Sequence, residues 1–151
     1  AKGKVSVVIG DGRLSLEREP IQHYDVLAVD AFSGDAIPAH LLTKQSFELY
    51  FKHLRPDGIL AIHISNKHLK LGLVVEELCK AFGVSRVLID DEKTDQEEDD
   101  EEVFGSDWAL VSTNPRSLES PEIKDAVTAL PSQTNIRVWT DDYNNIFQIL
   151  K

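Results

Sequence analysis

Two aspartates near the end of an apolar run are the first candidates for chemistry in this chain. Residues 26–29 are apolar and end at Asp30, and a second acid, Asp35, follows in a loop of small residues before Pro38. A short run of this kind bounded by turn residues predicts a buried strand. Ligands of open α/β sheets bind at the carboxyl ends of the strands. Asp30 and Asp35 are therefore candidate catalytic residues.

The chemistry expected of this pair is proton transfer or positioning of an amine. A carboxylate at a strand end can accept a proton from an amine or fix its position. A second carboxylate close to the first favours a cationic substrate and helps to decide which group holds the proton. The alternative is that Asp30 caps the following loop and that Asp35 is a turn or helix-entry residue, because aspartate favours both positions.

His63 is a third candidate, for substrate binding. It lies at the end of another apolar run, residues 59–64, and is expected to line the same cleft as Asp30. A hydrogen-bonded structural histidine is the alternative. The five histidines of the chain show no spacing typical of a metal site, so no metal is expected. Ser33-Gly34 lacks the flanking glycine pattern of a serine hydrolase.

Gly10, Asp11 and Gly12 form a smaller candidate site after residues 4–9, which are rich in β-branched side chains. An aspartate beside free backbone amides can bind the amino group and a ring nitrogen of adenine. The alternative is an ordinary turn, since glycine and aspartate favour turns through their own backbone chemistry.

The elements that must position these residues alternate between strand and helix patterns. Strands are predicted over residues 4–9, 24–30, 59–64, 84–89 and 107–112, with a short extended piece at 136–139. Helices are predicted over residues 13–19, 39–54, 68–82, 122–130 and 141–150. Strand, helix, turn at residues 56–58 and strand form a parallel crossover unit. We expect an α/β fold: a mostly parallel, partial Rossmann-like sheet with helices on both faces and an antiparallel hairpin at one edge.

Size and composition are those of one soluble globular domain. The chain has 151 residues, 42% of them hydrophobic and 28% charged. It contains no apolar run of about 18 residues that would predict a membrane span. Its single cysteine, Cys79, excludes an internal disulfide framework, fits a reducing compartment such as the cytoplasm, and is expected in the core because it lies near the apolar side of a predicted helix.

The negative charge is concentrated in one segment. The whole chain has a net charge of −10. Residues 90–102 hold ten acids and one lysine, so the rest of the chain has 16 acidic and 15 basic residues and is nearly neutral. Residues 90–105 are therefore predicted to be an acidic, flexible insert. Such a run could attract a polyamine, but charge runs are usually solvated and non-specific. No basic stripe is present to bind phosphates, so nucleic acid is not an expected partner.

Four stretches together resemble the C-terminal part of the spermidine synthase-like (polyamine aminopropyltransferase) family. They are VVIGDGR (residues 7–13), YDVLAVDAFSGDAIPAHLLT (24–43), RPDGILAIHISN (55–66) and WTDDYNNIFQIL (139–150). The last is similar to the ending of bacterial spermidine synthase-like proteins that are often fused to membrane segments. The resemblance implies the Rossmann-like fold of S-adenosylmethionine-dependent methyltransferases. The expected location is the cytoplasm, or the soluble domain of a membrane-associated protein.

The resemblance also implies an activity and a set of site residues. The reaction would be aminopropyl transfer from decarboxylated S-adenosylmethionine, a co-substrate and not a permanently bound cofactor, to putrescine or a related amine. Asp11 and Gly12 would hold the adenine, and Asp30 would orient or deprotonate the amine. The family places a second acid three positions after the first. Here that position is Ser33, a candidate amine contact, and the next acid is Asp35.

The resemblance covers only part of the family's fold. The glycine-rich nucleoside loop and the acid for the ribose hydroxyls belong to the first two strands of that fold, which have no counterpart in residues 1–151. We therefore expect one domain that is truncated at its N-terminus and inactive by itself. A methyltransferase that uses intact S-adenosylmethionine and a non-catalytic module for assembly or ligand sensing are the alternatives. An unpaired strand edge invites pairing between chains, so a homo-oligomer, in particular a strand-mediated dimer, or a rearranged first strand is expected.

Overall fold

The computed structural model describes residues 3–31, 38–66, 68–90, 106–128 and 135–151. The strands are β1 (Tyr24–Val29), β2 (Leu54–His63), β3 (Ser85–Asp90), β4 (Asp107–Ser112) and β5 (Val127–Thr128). The α-helices are α1 (Gly12–Arg18), α2 (Lys44–His53), α3 (Leu71–Phe82) and α4 (Pro121–Ala126). Single 3-10 turns occur at Ala39–Leu41, Pro115–Leu118 and Ile146–Ile149. The described strands and helices confirm the α/β class.

The strands form one mixed sheet in the order β1-β2-β4-β3-β5. β1 and β2 are parallel, whereas β4 runs antiparallel to both β2 and β3, and β5 runs antiparallel to β3. The predicted antiparallel pair, β3 with β4, is confirmed. The prediction of a mostly parallel sheet is wrong, because only β1 with β2 is a parallel pair among the described strands. β2 and β3 point the same way, but the antiparallel strand β4 lies between them.

The two long helices cover the same face of this sheet. Leu60 and Ile62 of β2 are fully buried in one cluster with Phe47 of α2 and Leu78 of α3. The sequence predicts helices on both faces, but α2 and α3 both lie on one face, and the strand order explains why. Both crossovers, β1 to β2 and β2 to β3, step in the same direction across the sheet, and right-handed crossovers in one direction place their helices on one side. On the opposite face of β1, Val26 is 57% exposed.

Local sequence signals explain where these helices begin and end. Thr43 and Ser46 form a reciprocal capping box at the start of α2, where each side chain accepts a hydrogen bond from the other residue's backbone N–H. α3 ends at Gly83, whose φ of 62° lies in the left-handed region that favours glycine. Cys79 is completely buried on α3 and burial raises the pKa of its thiol to about 12, which confirms its predicted place in the core.

The predicted turn at residues 56–58 lies inside β2. The register shifts there, because Tyr24 pairs with Leu54 whereas Val26 pairs with Ile59. Gly58 is required at this irregularity: a Cβ atom on it would stand 3.0 Å from the backbone oxygen of Tyr24. From Ile59 onward the pairing with β1 is regular up to Val29 and Ile62. The bulge therefore absorbs the turn residues without disturbing the strand ends.

Two predicted elements near the termini are wrong. Residues 4–9 form neither helix nor strand, and Val7 and Ile9 are 83% and 96% exposed. Their β-branched pattern needs a neighbouring strand edge, and none of the described strands pairs with them. Residues 141–150 form a turn followed by the 3-10 turn Ile146–Ile149 instead of a helix. The helix predicted at 122–130 ends earlier, at Ala126, and passes into β5.

Two further predictions concern the acidic insert and a membrane span. Asp90 belongs to β3, and the rest of the predicted acidic insert, residues 91–105, lies outside the described residues. Among the helices that are described, none has both the length and the apolar composition needed to cross a membrane.

Removal of the Phe47 ring tests the packing between α2 and α3. Phe47 is fully buried, with ring centroids of Phe51 and Phe82 at 5.9 and 6.1 Å. Phe47→Ala should lower the free energy of unfolding by about 3–5 kcal/mol, measured by urea unfolding, because it leaves a cavity in the core. Phe147, which is 81% exposed, gives the matched control. Phe147→Ala should change stability by less than about 0.5 kcal/mol, and equal losses would contradict this packing.

The edge of β1 and the exposed residues 4–9 generate a second prediction. β1 is the end strand of the sheet, so one of its edges has no partner among the described strands. We expect copies of this chain to associate through these elements, with a dimer visible by sedimentation velocity. The double change Val7→Lys and Ile9→Lys should shift the dimer to monomer without loss of stability, whereas Phe147→Lys should not. A wild-type chain that stays monomeric at all concentrations would contradict this prediction.

Candidate functional site

The carboxyl ends of β1 and β2 bring Asp30 and His63 together. Because the strands are parallel neighbours and Val29 pairs with Ile62, the next residue of each strand lies at the same edge of the sheet. Side chains alternate along a strand, so His63 lies on the face opposite the buried Ile62 and away from α2 and α3. The structure thus brings Asp30 and His63 together, as the sequence predicts, and their roles as site residues stay predictions.

Asp30 and His63 are joined by a hydrogen bond. His63 Nδ1 lies 2.9 Å from Asp30 Oδ1. The His63 side chain is 18% exposed, whereas the Asp30 side chain is 59% exposed. An ionised carboxylate can only accept hydrogen bonds, so Nδ1 carries the proton that it donates to Asp30. In the neutral ring, Nε2 then holds a free lone pair and can accept a proton or a hydrogen bond.

Trp108 is the third member of this cluster and was not predicted. β4 runs antiparallel to β2, so it begins where β2 ends, and Trp108 pairs directly with His63. The two rings lie against each other with centroids 5.0 Å apart and an angle of 32° between their planes. Trp108 Nε1 donates to Ser106 Oγ over 2.7 Å. The indole therefore holds the imidazole from the side, while Asp30 holds it by hydrogen bonding.

The backbone around this cluster is fixed by a short network. Ile64 N donates to Asp107 O over 2.8 Å, and Asp107 N donates to Ser65 Oγ over 2.6 Å. The side-chain oxygen of Asn66 accepts from the backbone nitrogens of His68 and Leu69, each at 2.9 Å. The two bonds of Asp107 continue the β2–β4 contact past His63, and the bonds to Asn66 fix the turn that follows. The ends that carry His63 and Trp108 are therefore held in register.

The structure gives Asp11 a local role. Its Oδ1 accepts a hydrogen bond from Leu14 N over 2.9 Å and caps α1, in which Gly12 is the first residue. Its Oδ2 lies 2.8 Å from His40 Nε2. The hydrogen bonds from Leu14 and His40 hold the pKa of the Asp11 carboxyl below its ordinary value. The described structure has no hydrogen bond from Asp11 to Asp30 or His63, so the adenine role of Asp11 and Gly12 stays a prediction.

Asp35 and Ser33 lie outside the described residues. Their roles as catalytic and substrate-binding residues therefore also stay predictions. Within the described ranges, no group of three or more histidine, cysteine or acidic side chains is arranged to hold a metal ion.

A second polar cluster, missed at the sequence level, joins distant parts of the chain. Arg13 donates to both carboxylate oxygens of Asp141, at 2.7 and 2.6 Å. Arg13 also donates to the carbonyl oxygen of His40 over 2.8 Å, and Thr43 Oγ1 donates to Asp141 over 2.8 Å. α1, the start of α2 and the turn at 140–143 are thereby tied together. Nothing in the sequence pairs Arg13 with Asp141, because the two residues are 128 positions apart.

The charges of this cluster stabilise each other. The hydrogen bonds with Asp141 raise the pKa of the Arg13 guanidinium above its ordinary value, although burial acts against this. Arg13 in turn holds the pKa of Asp141 below its ordinary value, and the hydrogen bond from Thr43 adds to the effect. The Arg13 side chain is only 12% exposed. The ion pair therefore belongs to the folded structure and is not a loose surface contact.

Comparisons with protein-family models and with curated proteins found no match to this chain. Among solved structures, the chain is similar to MNMC2 from Aquifex aeolicus, with a TM-score of 0.48 and 17% sequence identity. The similarity covers 72% of this chain and 30% of that one. The chain thus spans about a third of the length of that structure, and the fold assignment above depends on the strand order and pairing alone.

The ion pair of Arg13 with Asp141 makes stability depend on pH. Asp141→Asn should lower the free energy of unfolding at pH 7 by about 1 kcal/mol, because it removes a charged acceptor from a partly exposed site. A carboxyl group whose pKa is lower in the folded state contributes fully above its unfolded pKa, about 4, and loses that contribution as the pH falls through the folded pKa. The difference between wild type and variant should therefore shrink when urea unfolding is repeated at about pH 3.

Asp142 provides the control for this measurement. It is adjacent and exposed, and its side chain makes no hydrogen bond in the described structure. Asp142→Asn should leave stability almost unchanged at both pH values. A difference between Asp141→Asn and wild type that is the same at pH 7 and pH 3 would contradict the role given to the ion pair.

Proposed function

We propose that this chain is a spermidine synthase-like domain whose site at the ends of β1 and β2 binds the amine acceptor of an aminopropyl transfer. The observation that carries the proposal is the Asp30–His63 pair, with Nδ1 and Oδ1 2.9 Å apart, at the carboxyl ends of two parallel strands. Two of the stretches that resemble the family, residues 24–43 and 55–66, contain one member of the pair each.

The reaction sets requirements that these residues are suited to meet. The amine nitrogen attacks a carbon next to the sulfonium of decarboxylated S-adenosylmethionine, the carbon–sulfur bond breaks, and methylthioadenosine leaves. A protonated amine has no lone pair, so it must lose a proton before it attacks. An anionic carboxylate beside an imidazole attracts a cationic amine and offers it a proton acceptor. The exposed Asp30 carboxylate is open to a ligand from the solvent side.

The surroundings of the pair also suit a cation. Trp108 presents an aromatic ring at the same edge of the sheet, and ring faces attract ammonium groups. In the proposal, Asp11 and Gly12 contact the adenine of the donor, as the resemblance implies, and Ser33 and Asp35 extend the amine site along the loop after β1. The donor is a co-substrate, so no permanently bound cofactor is proposed.

Titration of putrescine into this chain, followed by NMR, tests the amine site. We expect the resonances of Asp30 and His63 to shift on addition of the amine. Asp30→Asn should weaken binding about tenfold, because it removes the carboxylate charge, which corresponds to about 1.4 kcal/mol. Asp25 supplies a matched control, since it lies on the same strand, is 77% exposed and is paired with Arg55. Asp25→Asn should leave putrescine binding unchanged.

The same titration distinguishes the other functions. Methylthioadenosine binding together with putrescine binding agrees with the aminopropyltransferase. Binding of S-adenosylmethionine without any response to putrescine favours a methyltransferase and contradicts the proposal. A chain that binds neither compound at millimolar concentration is better described as a non-catalytic module.

A further inference from the structure

The geometry at the strand ends points to His63, not Asp30, as the group that takes the proton from the amine, with Asp30 as its positioning residue. This inference depends on the proposed function, and it assigns the two roles within that site. The sequence pattern and the resemblance both make Asp30 the acceptor of the proton. The structure places a better-suited acceptor between Asp30 and the indole of Trp108.

The hydrogen bond between the two side chains decides which atoms remain for the substrate. Asp30 Oδ1 accepts the Nδ1 proton of His63 over 2.9 Å, so that oxygen is engaged. The described structure gives His63 Nε2 no hydrogen-bond partner, and part of the ring is exposed. In the described structure, Nε2 of His63 and the second oxygen of Asp30, Oδ2, are therefore the atoms of the pair that remain for a substrate. The arrangement of carboxylate, imidazole and free Nε2 is that of an oriented general base.

The imidazole is also the better chemical match. A proton acceptor works best when it exchanges its proton near the operating pH, and histidine is the side chain that does so around neutrality. A carboxylate is a weaker base than an imidazole, because carboxylic acids lose their proton at a lower pH. The charge of Asp30 is more useful in stabilising the imidazolium that forms when His63 accepts the proton.

Among the described residues, Asp30 is the charged group that contacts His63, and it approaches from the end of β1. Asp107 precedes Trp108 on β4, and the alternation of side chains along a strand places it on the opposite face of the sheet. Trp108 restrains the plane of the ring at a centroid distance of 5.0 Å, and its π face also favours a cation.

The step balances without any further reactant. The bound ammonium gives one proton to Nε2, which produces a neutral amine and an imidazolium. The amine lone pair forms the new carbon–nitrogen bond as the carbon–sulfur bond of the sulfonium breaks, and its electron pair stays on the sulfur of methylthioadenosine. The product is a secondary ammonium, and the imidazolium returns its proton to solvent.

NMR of the chain with nitrogen-15 labelled histidine tests the assignment without any turnover. In the free wild-type chain above neutral pH, we expect His63 to carry its proton on Nδ1. Addition of putrescine should shift the Nε2 resonance and leave Nδ1 nearly unchanged. The bis-quaternary analogue, in which both nitrogens of putrescine are fully methylated, has no proton to give and should leave Nε2 unshifted even where it binds.

Two variants separate positioning from simple structural support. Asp30→Asn should move the ring proton of His63 mostly to Nε2, because the charged acceptor at Nδ1 is gone, and it should abolish the putrescine shift at Nε2. Asp30→Glu keeps a carboxylate and should restore part of the Nδ1 tautomer. A merely structural role for Asp30 predicts the same tautomer in wild type and in Asp30→Asn.

The possible failures are distinguishable. If putrescine shifts the Asp30 carboxyl carbon but not His63 Nε2, or if wild-type His63 carries its proton on Nε2, the inference is wrong while the amine site stands. If putrescine shifts neither residue, the proposed function itself is wrong.

Discussion

The parallel pairing of β1 with β2 is the contact on which the candidate site depends. Regular pairing from Val26 with Ile59 to Val29 with Ile62 makes both strands reach the sheet edge together. A slip of one residue would turn every side chain of a strand to the other face and would carry His63 to the helix side. The bulge at residues 54–58 absorbs the irregularity of the Pro56-Asp57-Gly58 sequence, so the register at the functional end is preserved.

Two further contacts, one made by β4 and one by Arg13, hold parts of the chain that the β1–β2 pairing does not reach. Because β4 returns between β2 and β3, its first residues lie beside the end of β2, and Trp108 comes to rest against His63. On another part of the molecule, the pair of Arg13 with Asp141 ties α1 to the start of α2 and to the turn at 140–143. The first contact shapes the proposed site, and the second holds the short terminal elements that have few buried side chains of their own.

Sequence patterns were reliable where an element satisfies its own hydrogen bonds or carries a strong local signal. Gly83 ends α3 at Phe82, where periodicity predicts its end. The capping box at Thr43 starts α2 at Lys44, five residues later than periodicity predicts. The pattern failed for residues 4–9, because β-branched residues favour a strand only where another edge can accept its hydrogen bonds. It also failed at 141–150, where the chain follows the polar contacts of Asp141 and not helix periodicity.

The sequence by itself determined the α/β class, the strand that ends at Asp30 and the expectation that Asp30 and His63 share one cleft, because strand ends and turn residues are local signals. Only the tertiary structure decided the order β1-β2-β4-β3-β5, the single face covered by α2 and α3, and the contact of Trp108 with His63. The tertiary structure also decided that Nδ1 is the His63 atom that forms the hydrogen bond with Asp30. These depend on which strand edges meet in space, and residues far apart in the chain carry no local pattern that specifies such a meeting.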